Sequence, residues 1–206
     1  MDSTDIMIKE ISYDIDVEKI REELKAIPDP MRQTCLQGVE GSSDPYLGIG
    51  VSGSKNAWER ERNDDYRLTD FKFPLFDMPY TNGLIEKLGM FHTRYMYLKP
   101  KTCYSYHRDR TKRIHIVVTT NEDCWLVVEK QIHHLPINGS YYIVDTTKMH
   151  TAVNASTEGR IHIVGIHQKY SPVMQLISKP RELSRPCSAK SVDGRDKKNF
   201  LCCNDI

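Results

Sequence analysis

The chain has 206 residues, of which 39% are hydrophobic and 28% charged, a composition that supports one well-buried domain. Lys+Arg 29 against Asp+Glu 28 leaves a formal charge of +1, which gives no electrostatic case for a nucleic-acid or membrane-surface binder. No apolar run approaches the ~18–20 residues of a membrane span, and the opening MDSTDIMIKE lacks a basic-then-apolar signal pattern, so a cytoplasmic protein is expected.

In chain order, Ile11, Tyr13 and Ile15 alternate with polar residues and predict a short strand. From Val17 to Ile27 the period becomes helical. Val17, Ile20, Leu24 and Ile27 line one face, Asp16 is the candidate N-cap, and Pro28 and Pro30 end the helix. Residues 28–68 are rich in Gly, Ser, Asn and Asp and read as loops packed over the rest, with Glu59 to Arg67 placed for covering a pocket mouth. Thr81 to Met90 predicts a second helix with Leu84, Ile85 and Leu88 buried.

The texture changes at Phe91. FHTRYMYLK, CYSYH, RIHIVVTT, CWLVVEK, QIHHL, YYIVD, HTAVNA and RIHIVGIHQ are short β-rich runs separated by turn residues such as Lys99-Pro100 and Asn138-Gly139. Strands at this spacing predict an antiparallel sandwich or barrel. RIHIVV and RIHIVG are alike without forming a repeat array, and suit two strands in related positions of one barrel. Residues 171–206 are polar, with a short helix near Val173 to Ser178 and otherwise the composition of a peripheral tail. The whole chain is thus read as a single domain: helices and loops over 1–90, a β core over 91–168, and a tail over 171–206. The six cysteines lack CxxC pairing and are expected to be free thiols.

One spacing carries chemistry. His107 and Asp109 lie two apart at the end of a predicted strand, where side chains share a face. His150 opens a later strand. Two histidines and one carboxylate form a facial triad that leaves about three positions of an octahedral metal open, the pattern of non-haem Fe(II). Arg160 follows His150 by ten residues across the turn Asn154 to Gly159, and in a hairpin about that turn it would lie within roughly 10 Å of His150. A guanidinium there suits the far carboxylate of a dicarboxylate bound to the metal. Asp145 and Asn154 are expected to organise the turns flanking His150, and Trp125 to lie in the core. His162 shares a face with Arg160 and is read as a packed core histidine rather than a pocket residue. His133, His134 and His167 have no partner at metal spacing. Tyr97, Tyr104 and Tyr106 are each a candidate to bond a cosubstrate carboxylate.

Over roughly residues 91–168 the segments LKPKTCYSYHRDRTKRIHIVVTTN and INGSYYIVDTTKMHTAVNASTEGRIHIVG resemble the 2-oxoglutarate/Fe(II)-dependent oxygenases of the aspartyl/asparaginyl β-hydroxylase branch, to which bacterial proline hydroxylases are related. The resemblance implies a double-stranded β-helix (jelly-roll, cupin-like) core with flanking N-terminal helices. It implies that His107, Asp109 and His150 bind Fe(II) and that Arg160 holds the distal carboxylate of 2-oxoglutarate. Arg113 and His115 would sit near the other end of that cosubstrate, or form a satisfied buried pair. The implied reaction is oxidative decarboxylation of 2-oxoglutarate with O2 to succinate and CO2, coupled to hydroxylation of an amino acid or amino-acid side chain. The animal aspartyl hydroxylases have lost the carboxylate of the triad whereas Asp109 is present here, which brings the chain closer to the bacterial amino-acid hydroxylases. A non-catalytic cupin-like binding module, or a metal-dependent isomerase or hydrolase on the same barrel, stays open on these residues. The expected partner is a small-molecule or peptide substrate.

Overall fold

The computed structural model describes residues 6–28, 30, 32–48, 66–167 and 169. In chain order the elements are β1 (Ile8–Ser12), α1 (Val17–Leu24), β2 (Gln33–Cys35), β3 (Gln37–Gly38), β4 (Phe73–Pro74) and α2 (Pro79–Lys87), then β5 (Phe91–Leu98), β6 (Thr102–Cys103), β7 (Arg113–Thr119), β8 (Cys124–Val128), β9 (Gln131–His133), β10 (Ser140–Val144), β11 (His150–Asn154) and β12 (Arg160–Ile166). No helix among the described residues is long and apolar enough to cross a membrane.

From β5 onward the chain pairs first strand with eighth, second with seventh, third with sixth and fourth with fifth, always antiparallel: β5·β12, β6·β11, β7·β10 and β8·β9. This is the pairing of a double-stranded β-helix. A six-stranded sheet in the order β1-β10-β7-β12-β5-β2 faces a four-stranded sheet in the order β6-β11-β8-β9. The fold is mainly β with a jelly-roll core, as the eight β-rich runs predict. The two RIHIV segments are β7 and β12, hydrogen-bonded neighbours in the larger sheet.

Register decides what each face of the larger sheet buries. Leu98 opposes Arg160, Met96 opposes His162, and Arg94 opposes Val164, so these six point to one side. Across β7, Val117 opposes His162 and His115 opposes Val164. Tyr142 opposes His115 and Val144 opposes Arg113. This inner side meets Leu126, Val128 and Ala152 of the smaller sheet in an apolar cluster with Leu98, Val117, Tyr142 and Val144. The outer side presents Ile114, Ile116, Val118, Ile143 and Ile163 to Ile20, Leu24, Met78, Leu84 and Ile85. Burying each such side chain contributes roughly 1.5–3 kcal/mol, so this outer core supplies the stability that lets the inner face carry polar groups.

Both helices sit where the apolar period places them, each shorter than expected. Asp16 caps α1 by accepting from the Lys19 amide at 3.1 Å. α2 begins at Pro79 without a side-chain cap of its own. Glu23 of α1 accepts from the Tyr80 and Thr81 amides, both at 2.7 Å, and so satisfies donors the α2 terminus leaves free.

Three expectations are corrected. The first strand is Ile8–Ser12 rather than 11–15, because Asp14 turns the chain with φ 66° after the pairing with β10 ends at Ser12. The stretch 28–68 is not all loop: β2 adds to the edge of the larger sheet beside β5. Trp125 is half-buried on the outer face of the smaller sheet, while its neighbour Leu126 enters the core. The helix expected near Val173 to Ser178, the tail, and the loop from Glu59 to residue 65 lie outside the described residues. Cys103 and Cys124 are free thiols.

Candidate functional site

After the two-residue β6 the chain continues beside β11 without regular strand geometry. The Tyr104 amide donates to the Ala152 carbonyl (3.0 Å), His107 and His150 exchange backbone bonds of 3.0 and 2.8 Å, and the Asp109 amide donates to the Thr146 carbonyl (2.8 Å). These cross-links, rather than alternation along one strand, bring His107 and Asp109 to His150. The two imidazoles lie with centroids 4.5 Å apart. His107 Nδ1 donates to the Ser105 carbonyl (2.7 Å) and His150 Nδ1 to the Lys148 carbonyl (3.0 Å). A carbonyl only accepts, so each Nδ1 carries the hydrogen and each Nε2 keeps a lone pair for a ligand. Asp109 Oδ1 is 4.0 Å from His107 Nε2, and Asp109 Oδ2 is 4.0 Å from His150 Nε2. The candidate ligand atoms of these three residues all lie within 4.8 Å of one another.

The protonation states suit a cation. Burial pushes the Asp109 carboxyl up, but the Arg113 charge, its hydrogen bond, and the charges of His150 and Arg94 outweigh that and hold it below the ordinary value. Burial pushes His150 down, so its imidazole is neutral. An ionised carboxylate and a neutral imidazole bind a metal without first releasing protons. Arg113 Nε donates to Asp109 Oδ2 at 3.0 Å. Its Nη1 is buried with no partner among the described residues.

A second group lies on the inner face of β12 and β7. Arg160 is 4% exposed and has no acidic partner among the described residues. Its NH2 donates to His162 Nδ1 at 3.0 Å. Guanidinium cannot accept, so His162 Nδ1 must, and the hydrogen of this ring sits on Nε2. His115 Nδ1 lies 3.3 Å from the same His162 atom and must donate to it, which leaves His115 Nε2 as an acceptor. Both Nε2 atoms are buried without partners among the described residues. Burial, aided by Arg160, pushes both imidazoles well down. The Arg160 guanidinium is itself pushed down to about 10 by burial and stays charged at neutral pH. A sealed cation without a counter-ion is costly, and a carboxylate is the ligand that relieves it.

Of the three tyrosines, Tyr104 alone offers a buried, unpartnered hydroxyl. It lies close enough to Arg94 and Arg160 to affect both. Tyr97 packs against the outer core, and exposed Tyr106 donates to the Glu129 carbonyl at 2.6 Å.

The aspartyl/asparaginyl β-hydroxylase family model matches residues 15–165, from before α1 to the end of the jelly roll. The chain belongs to the aspartyl/asparaginyl β-hydroxylase family. No curated protein is significantly similar to it in sequence. Among solved structures it is similar to the viral collagen prolyl hydroxylase of Paramecium bursaria Chlorella virus-1 in its 2-oxoglutarate complex (TM-score 0.41, 10% identity, 79% of this chain and 96% of that one). It is also similar to a Pseudomonas putida prolyl-4-hydroxylase (0.40, 11%, 78% and 91%). A Bordetella pertussis cupin domain matches at 0.32 with 15% identity over 37% of this chain and 79% of that one.

In this β-hydroxylase family member, β11 and β12 do not form the hairpin expected from their sequence proximity. β11 lies in the smaller sheet and β12 in the larger, and Asn154 builds the corner between them. Its side chain, with no exposure, donates to the Leu98 and Glu158 carbonyls and accepts from the Ser156 amide and hydroxyl. Asp145 organises the other turn by accepting from the Thr147 amide. His162, expected as plain core, is buried but bonded to Arg160. His134 Nδ1 donates to the Cys124 carbonyl (3.1 Å). Sequence reasoning missed Arg94 on β5, whose inward placement follows from the register with β12, and the buried His92, which bonds to the Gly48 carbonyl where that register breaks. A cavity of about 800 Å³ bordered by Gln37, Lys72, Asn82, Glu86 and His167 lies beside α2, and none of the triad lines it.

Proposed function

We propose that this family member is an Fe(II)- and 2-oxoglutarate-dependent dioxygenase that hydroxylates an amino acid or an amino-acid side chain. The observation that carries the reading is a sealed guanidinium with no acid among the described residues, Arg160, in the same barrel interior as a His/Asp/His cluster of three candidate ligands. Nitrogen and carboxylate donors in a 2-His-1-carboxylate set fit Fe(II) better than a closed structural zinc.

In this reading His107 Nε2, Asp109 and His150 Nε2 hold the metal. Arg160, with Tyr104 beside it, receives the distal carboxylate of 2-oxoglutarate in a bidentate pairing. Arg113, whose Nη1 is buried without a partner among the described residues, would serve the end nearer the metal, with His115 beside it on the same strand face. Bound Fe(II) supplies O2 activation coupled to decarboxylation of 2-oxoglutarate to succinate and CO2, with insertion of oxygen into a substrate C–H bond. The chain's own contributions are separate from that chemistry. Arg113 keeps Asp109 ionised, the Ser105 and Lys148 carbonyls hold both imidazoles in the ligating tautomer, and His162 fixes the plane of Arg160. Leu98, Val117, Leu126 and Val128 exclude water from the floor of the barrel.

Anaerobic titration with Fe(II) and 2-oxoglutarate tests the reading. The wild type is expected to develop a charge-transfer band that His107→Ala lacks, and a band that persists in the variant overturns the assignment. Succinate release separates an enzyme from a silent binding module. Tightly held zinc, with no effect of 2-oxoglutarate on stability, would instead favour an isomerase or hydrolase.

A further inference from the structure

We infer that the outer face of the smaller sheet is a self-association surface, on which a second copy of this chain packs face to face. The inference is independent of the chemistry proposed above.

Leu126 and Val128 of β8 point into the barrel, so alternation turns Trp125 and Val127 to the other side. On β11, Val153 opposes Trp125 and Thr151 opposes Val127. Cys103 of β6 opposes Val153, and Ile132 of β9 opposes Val127. These six positions make two rows across the sheet, and none carries a charge. Both helices pack on the larger sheet, and Trp125, Val127, Ile132 and Val153 belong to neither apolar cluster. Ile132 is 70% exposed. In a chain with 28% charged residues, an uncharged sheet face with a tryptophan on it is the kind of patch that marks a protein contact.

The charges around the patch select the partner. The β8 side carries Glu122, Asp123 and Glu129 with Lys130, and the β6 side carries Lys101 and Arg108. Lys101 and Asp123 lie at one end of the sheet: Lys101 Nζ donates to the Ala155 carbonyl (2.8 Å), and the Ala155 amide donates to the Asp123 carbonyl (3.0 Å). Glu129 and Arg108 lie at the other end. There the Glu129 amide donates to the Met149 carbonyl, and Arg108 follows His107, which pairs with His150. A two-fold axis running along the strands, between two stacked sheets, exchanges the β8 and β6 sides and keeps the ends. It sets Lys101 of one copy against Glu122 and Asp123 of the other, and Arg108 against Glu129. An axis across the strands would bring Asp123 toward Glu129, like against like. The patch therefore complements itself about the first axis, with its uncharged centre meeting its own copy. Four strands about 4.8 Å apart and up to five residues long offer roughly 300 Å² of face before the turns are counted. That lies at the small end of specific interfaces, so the dimer should dissociate at micromolar concentration.

Sedimentation velocity of the full chain from about 1 to 200 μM tests this, with a concentration-dependent monomer–dimer equilibrium expected. Trp125→Glu should weaken association by roughly 30-fold or more. Lys101→Glu and Asp123→Lys, both at exposed positions, should each weaken it by about 3–10-fold, and the double variant should restore it. Ile132→Cys should be joined to Cys103 of a second copy by a bis-maleimide, and the product should vanish when Cys103→Ser is added. The inference is overturned by a monomer at every concentration, by a dimer that ignores Trp125→Glu and both charge variants, or by a double variant no better than either single one. A link from Ile132→Cys to Cys187, Cys202 or Cys203 of its own chain would give the face to the tail and likewise overturn it.

Discussion

Acidification should destabilise the metal-free protein well before its carboxylates titrate. His92, His115 and His162 are 4%, 8% and 1% exposed. Burial holds all three well below the ordinary 6.5, helped by Arg94 and Arg113 beside His92 and by Arg160 beside the other two. The unfolded chain therefore takes up protons near pH 6.5 that the folded chain refuses. With more protons bound in the unfolded state, stability falls as the pH falls through that value. Each group costs about 1.4 kcal/mol per pH unit below its unfolded pKa for as long as the folded ring stays neutral. Three such rings amount to about 4 kcal/mol between pH 7.5 and pH 5.5, a large share of the 5–15 kcal/mol typical of a domain. His150 is displaced in the same direction by burial and steepens the loss. Asp109, Asp145 and Glu23 sit below the ordinary carboxylate range, so the stability they contribute is present above it and is lost only at lower pH, as a separate step. Urea unfolding of the metal-free chain across this range measures the effect directly. His162→Asn, which cannot be protonated there, should flatten the slope by about a third. A folding free energy that changes by less than about 1 kcal/mol from pH 7.5 to 5.5 would refute the assignment of neutral, sealed imidazoles.

Arg160→Met should weaken 2-oxoglutarate binding by about 100-fold or more, since a buried charge-assisted pairing is lost, while the metal stoichiometry read by calorimetry stays the same. His162→Phe should raise the KM for 2-oxoglutarate with a smaller change in kcat. His162→Asn, which restores an acceptor near the Nδ1 position, should recover much of it; equal KM values in both variants would deny His162 its positioning role. Glu23→Ala should lower stability by about 1–2 kcal/mol in urea unfolding, because the Tyr80 and Thr81 amides lose their acceptor. Gly165→Ala should cost about 1–3 kcal/mol, because the added methyl would lie 2.6 Å from Met90 Cε and 2.7 Å from the fully buried Thr93 Oγ1.

The β core was legible because its strands alternate, but the meaning of the alternation was not. Arg-Ile-His-Ile at the start of β7 and again at the start of β12 reads at first sight as polar-out, apolar-in. In the structure the isoleucines face the helices and the arginines and histidines face the space between the sheets. Binary pattern gives the period and cannot say which face meets solvent when both are covered. The candidate site was found through residue types at a spacing, although strand geometry was the wrong reason for its convergence. His107 and Asp109 meet His150 through backbone bonds to β11 and to Thr146, long-range pairings that no local pattern encodes. The three-residue β2 and the inward turn of Arg94 were invisible for the same cause: both depend on which strand lies alongside β5.

The two faces of the larger sheet carry opposite thermodynamic roles, and that division explains how one small barrel holds so many sealed polar groups. Ile114, Ile116 and Ile163 anchor β7 and β12 to the helices, so the backbone positions of Arg113, His115, Arg160 and His162 are set by apolar packing on the far side. The inner groups are then held in place without having to satisfy one another, and several do not: Arg113 Nη1, His115 Nε2, His162 Nε2 and Arg94 Nε have no partner among the described residues. Unsatisfied polar groups beside a sealed cation cost stability in the free chain, and the donors among them return it when an anion arrives. Ligand binding should therefore raise the melting temperature far more in the wild type than in variants that remove an inner cation, whereas truncating Ile163 on the outer face should lower the free and the liganded melting temperatures together.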